Sequence, residues 1–172
     1  DTVAMLETAL GVSAQSGGAF DVTIYPLVDA WGFLTETPQV PSEGRIADAL
    51  ARVDYRRLAL SDKSVRVEPG MGVDFGGVAK GYVSDRLEQI FRAHGVENAI
   101  VSLGGNVHTL GERPDGGAWR VGVQDPLDAS GILGVLLAAD TAVITSGAYQ
   151  RNFMENGTKY HHILNPATGY PA

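Results

Sequence analysis

Paired glycines cut this sequence into short stretches, at Gly17-Gly18, Gly76-Gly77, Gly104-Gly105 and Gly116-Gly117. A glycine pair tolerates left-handed backbone and does not carry a helix or strand forward, so each pair reads as a stop. The 22 glycines in 172 residues are nearly twice the usual share of ~7%. Between the stops the helical patterns are too few to alternate regularly with the candidate strands. The expectation is therefore an α+β chain, a single domain over residues 1–172, with a mainly antiparallel sheet and flanking helices. Neither an internal repeat nor a low-complexity linker is evident.

Charge and composition remove several classes of function. A net charge of −7 argues against a broad electrostatic grip on nucleic acid or anionic lipid, so any anion bound here is held locally. No apolar run approaches the ~18 residues of a membrane span. The absence of cysteine excludes a disulfide framework, a thiolate nucleophile and a Cys-ligated metal, and leaves the compartment open. The sequence begins on a helical pattern without an initiator Met and stops at Gly169-Tyr170-Pro171-Ala172, inside what reads as a loop. The expectation is a fragment of a longer protein.

Val3, Leu6, Ala9 and Leu10 fall at helical spacing, with Asp1 or Thr2 as cap and Gly17-Gly18 as stop. Ala19 to Pro26 reads as extended, and Pro26 and Gly32 break up the apolar stretch from Leu27 to Phe33. Ser42 and Glu43 open a second helix with Ile46, Ala49, Leu50 and Val53 on one face. Leu58 to Leu60 and Val65 to Val67 flank a turn and read as a hairpin. A strand at Val73 to Phe75 leads through Gly76-Gly77 into a third helix from about Val78, whose stripe is Val83, Leu87, Ile90 and Phe91. Asn98 to Leu103 reads as a buried strand, followed by strands at Trp119 to Gln124, Ile132 to Ala138 and Ala142 to Thr145.

The densest chemical signal is Asp74-Phe75-Gly76-Gly77-Val78-Ala79-Lys80-Gly81-Tyr82. Two glycines before a helix let a ligand approach the backbone closely, helix N–H groups favour an anion, and Lys80 sits one turn in. The alternative is a tight turn followed by a surface lysine. It is not a Walker A loop, because Lys80 precedes its glycine, nor G-x-G-x-x-G, and Asp74-Phe75-Gly76 has no kinase partner motif. His161-His162 precedes a Pro/Gly turn; adjacent extended side chains face opposite ways, so the two do not pair on a metal. One histidine suits proton transfer, though capping a turn is the plainer role. Thr145-Ser146-Gly147 offers hydroxyls to a phosphate or a cap to a helix. No Gly-x-Ser-x-Gly elbow supports a hydrolase triad. His94 and His108 read as surface or core-edge residues, and the turns at Gly18 to Asp21 and Leu103 to Asn106 read, each alone, as turn chemistry.

Together, Gly18-Ala19-Phe20-Asp21-Val22-Thr23, Pro26-Leu27-Val28 with Trp31-Gly32-Phe33, Asp74 to Tyr82, Asn98 to Asn106, Thr145-Ser146-Gly147 and His162-Ile163-Leu164-Asn165-Pro166-Ala167-Thr168-Gly169 resemble, in order and spacing, the FAD:protein FMN transferases, the ApbE-like flavin transferases. The resemblance implies that family's domain, with T-fold-like layers, incomplete at both ends. It implies use of FAD and Mg²⁺, cleavage of the FAD pyrophosphate, transfer of FMN to a Thr or Ser of an acceptor redox protein, and release of AMP. By position it implies that Ala19, Phe20, Asp21, Asp74, Lys80, Thr145, Ser146 and Ile163 contact the flavin nucleotide. The Gly77 carbonyl is then a Mg²⁺ ligand and His162 the catalytic histidine. Asn165 stands where the family more often has Asp, a mild change if the role is turn-making. The Asp and Thr that complete the family's metal shell would lie beyond Ala172, so these residues alone are expected to be weakly active or inactive. Family habit implies a lipid-anchored protein facing the periplasm or cell exterior. Two other readings use the same residues: FAD hydrolysis to FMN and AMP, and a non-catalytic flavin-binding maturation module.

Overall fold

A computed structural model describes residues 2–128 and 130–172. The helices are α1 (Thr2–Gln15), α2 (Tyr25–Trp31), α3 (Glu43–Leu50) and α4 (Ala79–Ala93), with a 3₁₀ turn at Tyr55–Arg57. The strands are β1 (Ala59–Ser61), β2 (Ser64–Arg66), β3 (Ala99–Leu103), β4 (Asn106–Leu110), β5 (Trp119–Gln124), β6 (Ile132–Ala138), β7 (Thr141–Val143), β8 (Asn152–Glu155) and β9 (Thr158–His161). The chain divides into two compact units: residues up to Val78 together with Ala148–Ala172, and Ala79–Gly147. Among the described residues every strand pair is antiparallel, as expected, but the strands form four small sheets: β1-β2, β3-β4-β7, β5-β6 and β8-β9. Among the described residues no helix is long and apolar enough to cross a membrane.

In the first unit α1 buries Leu6, Ala9 and Ser13. It unwinds where Gly17 and Gly18 take φ of +62° and +84°, and the Gly18 N–H returns to the Ser13 carbonyl. Asp1, one of the two expected caps, lies outside the described residues, and Thr2 is itself helical. The reading of Ala19 to Pro26 as extended is corrected: Ala19 to Ile24 is a succession of turns, and α2 starts at Tyr25. Pro26 does not break the apolar stretch but sits in the first helical turn, where its missing N–H costs nothing. Gly32 ends α2 in left-handed conformation. Ser42 caps α3 as expected, its hydroxyl accepting the Arg45 N–H at 3.3 Å.

Two apolar clusters hold this unit. Trp31, fully buried, packs with Leu27, Ile46, Ala49 and Leu164. Its ring stacks on Phe33 at 5.9 Å and lies 5.3 Å from Tyr160 of β9, and its indole N–H donates to the Gly169 carbonyl at 2.8 Å. Gly169 is left-handed, and a Cβ there would stand 2.6 Å from Ile46 Cγ2. The C-terminal turn is thereby fastened to α2 and α3. A second cluster gathers Leu6, Ala9, Val22 and Leu58.

In the second unit α4 packs on β3 and β4. The expected stripe on α4 is only partly covered: Leu87 and Phe91 are half-buried, whereas Val83 and Ile90 are 44% and 50% exposed. The reading of Asn98 to Leu103 as a buried strand is likewise corrected, since β3 alternates half-buried and exposed positions. β6 is apolar on both faces, yet Ile132, Leu133 and Leu137 are 66%, 69% and 74% exposed. His108 is the core-edge residue expected, its Nε2 2.8 Å from Glu88.

Candidate functional site

The first unit brings two of the sequence motifs together. Val73 to Phe75 is not the expected strand; it runs without strand pairing, and the Asp74 N–H donates to the Val22 carbonyl at 2.9 Å. The Asp74 carboxylate accepts the Gly76 N–H at 2.6 Å, closing a local turn. Gly76 and Gly77 are exposed. A Cβ on Gly77 would lie 2.7 Å from the Phe20 ring. The ring therefore sits against bare backbone, and the loop from Ala19 to Asp21 lies alongside that from Asp74 to Gly77. Ala19 is exposed and Phe20 half-buried, its N–H held by the Ser16 hydroxyl at 3.1 Å.

Asp21 is 6% exposed and its carboxylate is taken up by the chain's own donors. Oδ1 accepts from the Thr23 N–H at 2.8 Å and the Thr23 hydroxyl at 2.6 Å, and Oδ2 accepts from the Tyr55 N–H at 3.0 Å. Thr23, fully buried, accepts in turn from the Asp54 N–H at 2.9 Å. What Asp21 can present to a ligand is therefore main chain, while its side chain ties this loop to the turn at Tyr55–Arg57. Between them lies a cavity of about 220 Å³ walled by Gly17, Gly18, Asp21, Tyr55 and Arg56 and by Pro166 and Ala167 of the C-terminal turn. The sequence reading missed the Asp54 to Arg56 wall; no motif marks it, and its only local signal is Asp54 capping the Arg56 N–H at 3.0 Å. The Arg56 guanidinium, hydrogen-bonded to Asp54, holds that carboxyl below its ordinary range.

His161 and His162 differ in setting. His161 ends β9 with its Nδ1 buried and unpartnered among the described residues. His162 Nδ1 lies 3.2 Å from the Arg151 carbonyl. A carbonyl only accepts, so Nδ1 carries a proton, and in the neutral ring Nε2 is the nitrogen with the free lone pair. Ile163 is half-buried, its carbonyl accepting the Ala172 N–H at 2.9 Å. Asn165 is the turn-maker expected, with Oδ1 accepting the Ala167 N–H at 2.8 Å, a bond an aspartate would make equally well.

In the second unit Lys80 is exposed near the start of α4, which has no acidic residue in its first turn. Its ammonium donates to the Gly104 carbonyl at 3.2 Å. Thr145 and Ser146 follow β7, exposed, and no helix follows for them to cap. The Mg²⁺ that the resemblance implies does not find a site in these residues by themselves. Among the described residues no group of three or more His, Cys, Asp or Glu could hold a metal ion. A hard divalent cation requires about six oxygen ligands, so the Gly77 carbonyl alone does not suffice.

A Gly-lined loop packed on an aromatic residue and a histidine bonded to a main-chain carbonyl in the first unit, and a lysine near a helix start in the second, are each of a kind suited to a nucleotide phosphate. The ApbE family model matches residues 1–172, and the chain belongs to that family. It is 37% identical over 171 residues to a FAD:protein FMN transferase of Klebsiella pneumoniae, covering 97% of this chain and 52% of that protein. A FAD:protein FMN transferase of Treponema pallidum is 34% identical over 189 residues, covering 98% of this chain and 51% of that protein. Among solved structures, the ApbE protein of Thermotoga maritima superposes with a TM-score of 0.92 at 37% identity, covering 99% of this chain and 57% of that one. The flavinyl transferase ApbE of Pseudomonas stutzeri does so at 0.83 and 30% identity, covering 98% and 53%. The chain thus spans about half the length of the curated relatives it matches.

Proposed function

We propose that the protein carrying this chain transfers FMN from FAD to a threonine or serine hydroxyl of an acceptor redox protein and releases AMP. The acceptor oxygen bonds to the FMN phosphorus, the bond from that phosphorus to the bridging oxygen breaks, AMP leaves with that oxygen, and the hydroxyl proton passes to a base. The observation that carries the reading is the pairing of two loops in the first unit, with Asp74 bonded to Val22 and Gly77 bare against Phe20. Phosphoryl transfer needs mainly position and charge neutralisation, and glycine backbone admits a diphosphate closely. His162 is the proposed base, since its Nδ1–H bond to Arg151 leaves Nε2 to accept a proton.

Ala19, Phe20, Asp21, Asp74 and Ile163 of the first unit, and Lys80, Thr145 and Ser146 of the second, are assigned to the nucleotide on the family resemblance; for Asp21 the contact would be main chain. Magnesium belongs to the proposal with the Gly77 carbonyl as one ligand, the rest of its shell coming from residues other than those described. The same resemblance supports an extracytoplasmic protein held by a lipid anchor, and a single catalytic domain to which both units belong.

The test is full-length protein with FAD, Mg²⁺ and an acceptor domain, followed by in-gel flavin fluorescence and separation of free FMN. Flavin should become acceptor-bound. His162→Ala should lower the transfer rate about 10²- to 10⁴-fold, the usual worth of a general base, with FAD affinity nearly unchanged. Undiminished flavinylation by that variant would favour a non-catalytic module, and FMN released at the same rate without acceptor would favour a pyrophosphatase.

A further inference from the structure

Lys80 is held by a turn made of two glycines. Leu103 pairs with Asn106 across the β3-β4 hairpin, leaving Gly104 and Gly105 as a two-residue loop. Their φ angles of +57° and +90° are those of a hairpin turn with both central residues left-handed. Such a turn does not require glycine at its first position, where asparagine is a favoured occupant. The side-chain space does differ between the two positions. A Cβ on Gly104 would stand 3.4 Å from Lys80 Nζ, while one on Gly105 would meet nothing within 4 Å.

We propose that Gly104 is a positioning residue for Lys80. Its carbonyl accepts one of the three ammonium N–H donors, and its missing side chain keeps clear the space beside Lys80 Nζ that a Cβ would crowd. Tethered in this way, the long stem surrenders its rotamer freedom before ligand arrives, and the remaining donors are aimed at the anionic oxygens of a diphosphate. The inference rests on the assignment of Lys80 to the flavin nucleotide made above.

A double-mutant cycle in the full-length protein tests it, with FAD affinity measured by titration at fixed salt and melting temperature recorded for each variant. Lys80→Met should weaken FAD binding about tenfold, the size of one lost charge-assisted contact. Gly104→Asn should weaken it about three- to tenfold while melting within ~2 °C of wild type, because Asn-Gly suits the turn. Gly105→Asn burdens the same turn without touching Lys80 and should change affinity less than about twofold, as should Gly104→Asn in the Lys80→Met background. A flavin-free readout accompanies these: the rate of Lys80 acetylation by an activated ester, followed by peptide mass spectrometry, should rise in Gly104→Asn and not in Gly105→Asn. Equal losses from Gly104→Asn in both backgrounds, equal losses from the two turn variants, or unchanged Lys80 labelling would overturn the positioning role. Wild-type affinity in Lys80→Met would instead overturn the assignment of Lys80 to the nucleotide, and the proposal with it.

Discussion

Replacing Asp21 should destabilise the first unit more than any exposed change in the same loop. The carboxylate is 6% exposed and receives three donors: the Thr23 N–H, the Thr23 hydroxyl and the Tyr55 N–H. In Asp21→Asn one oxygen becomes an NH₂ group. Whichever way the amide turns, that group faces a backbone N–H, of Tyr55 or of Thr23, and one buried donor loses its acceptor. Hydrogen bonds to a charged acceptor are worth about 1.5–3 kcal/mol each, and an orphaned buried donor costs a similar amount, so a loss of about 2–3 kcal/mol is expected. Asp21→Ala orphans both N–H groups and should cost about 4 kcal/mol, below the full sum because the three bonds share one group. At roughly 2–4 °C per kcal/mol for a chain this long, Asp21→Asn should lower the melting point by about 5–10 °C. Trp31, fully buried in this unit, is the natural reporter. Trp31 and Trp119 are the only tryptophans, so urea unfolding followed by fluorescence in a Trp119→Phe background reads the first unit alone. A loss below ~0.5 kcal/mol for Asp21→Ala, with the unfolding slope unchanged, would refute the structural role of the carboxylate.

Trp31→Phe should cost about 2 kcal/mol or more, because the Gly169 carbonyl loses the indole donor and a void opens beside it; urea unfolding measures it, and a neutral result would show that the C-terminal turn is not fastened there. In the second unit Glu88 is held below its ordinary range first by the Arg92 guanidinium and then by His108. A carboxylate with lowered folded-state pKa binds fewer protons folded than unfolded, so its stabilising effect is present above the ordinary carboxylate range and fades as pH falls through its lowered value. Melting curves from pH 6 to pH 3 should therefore fall less steeply in Glu88→Gln than in wild type, by a small margin because the pair is largely solvated. The apolar strand β6 should make this 172-residue chain bind a hydrophobic dye, and paired Leu133→Lys and Leu137→Lys changes should reduce that binding.

Local chemistry determined much of this protein without help from the fold. The cap at Ser42, the stop at Gly17-Gly18, the hairpin around Ser61 to Ser64 and the turn-making Asn165 each depend on neighbours within a few residues, and each was legible. So was the family, because its motifs are contiguous. Pro26 misled for the opposite reason: a proline reads as a breaker until it is known to occupy the first turn of a helix.

Only the tertiary structure decided what depends on residues far apart in the chain. It turned the Asp21 side chain inward onto Thr23 and Tyr55, set Phe20 against Gly77, and brought the Gly104 carbonyl to the Lys80 ammonium. It also left Val83 and Ile90 of α4 exposed, where helical spacing had promised burial, and left the apolar side chains of β6 exposed on both faces. Periodicity tells which face of an element is apolar, but whether that face is covered depends on what packs against it, and that partner is not encoded in the element's own spacing.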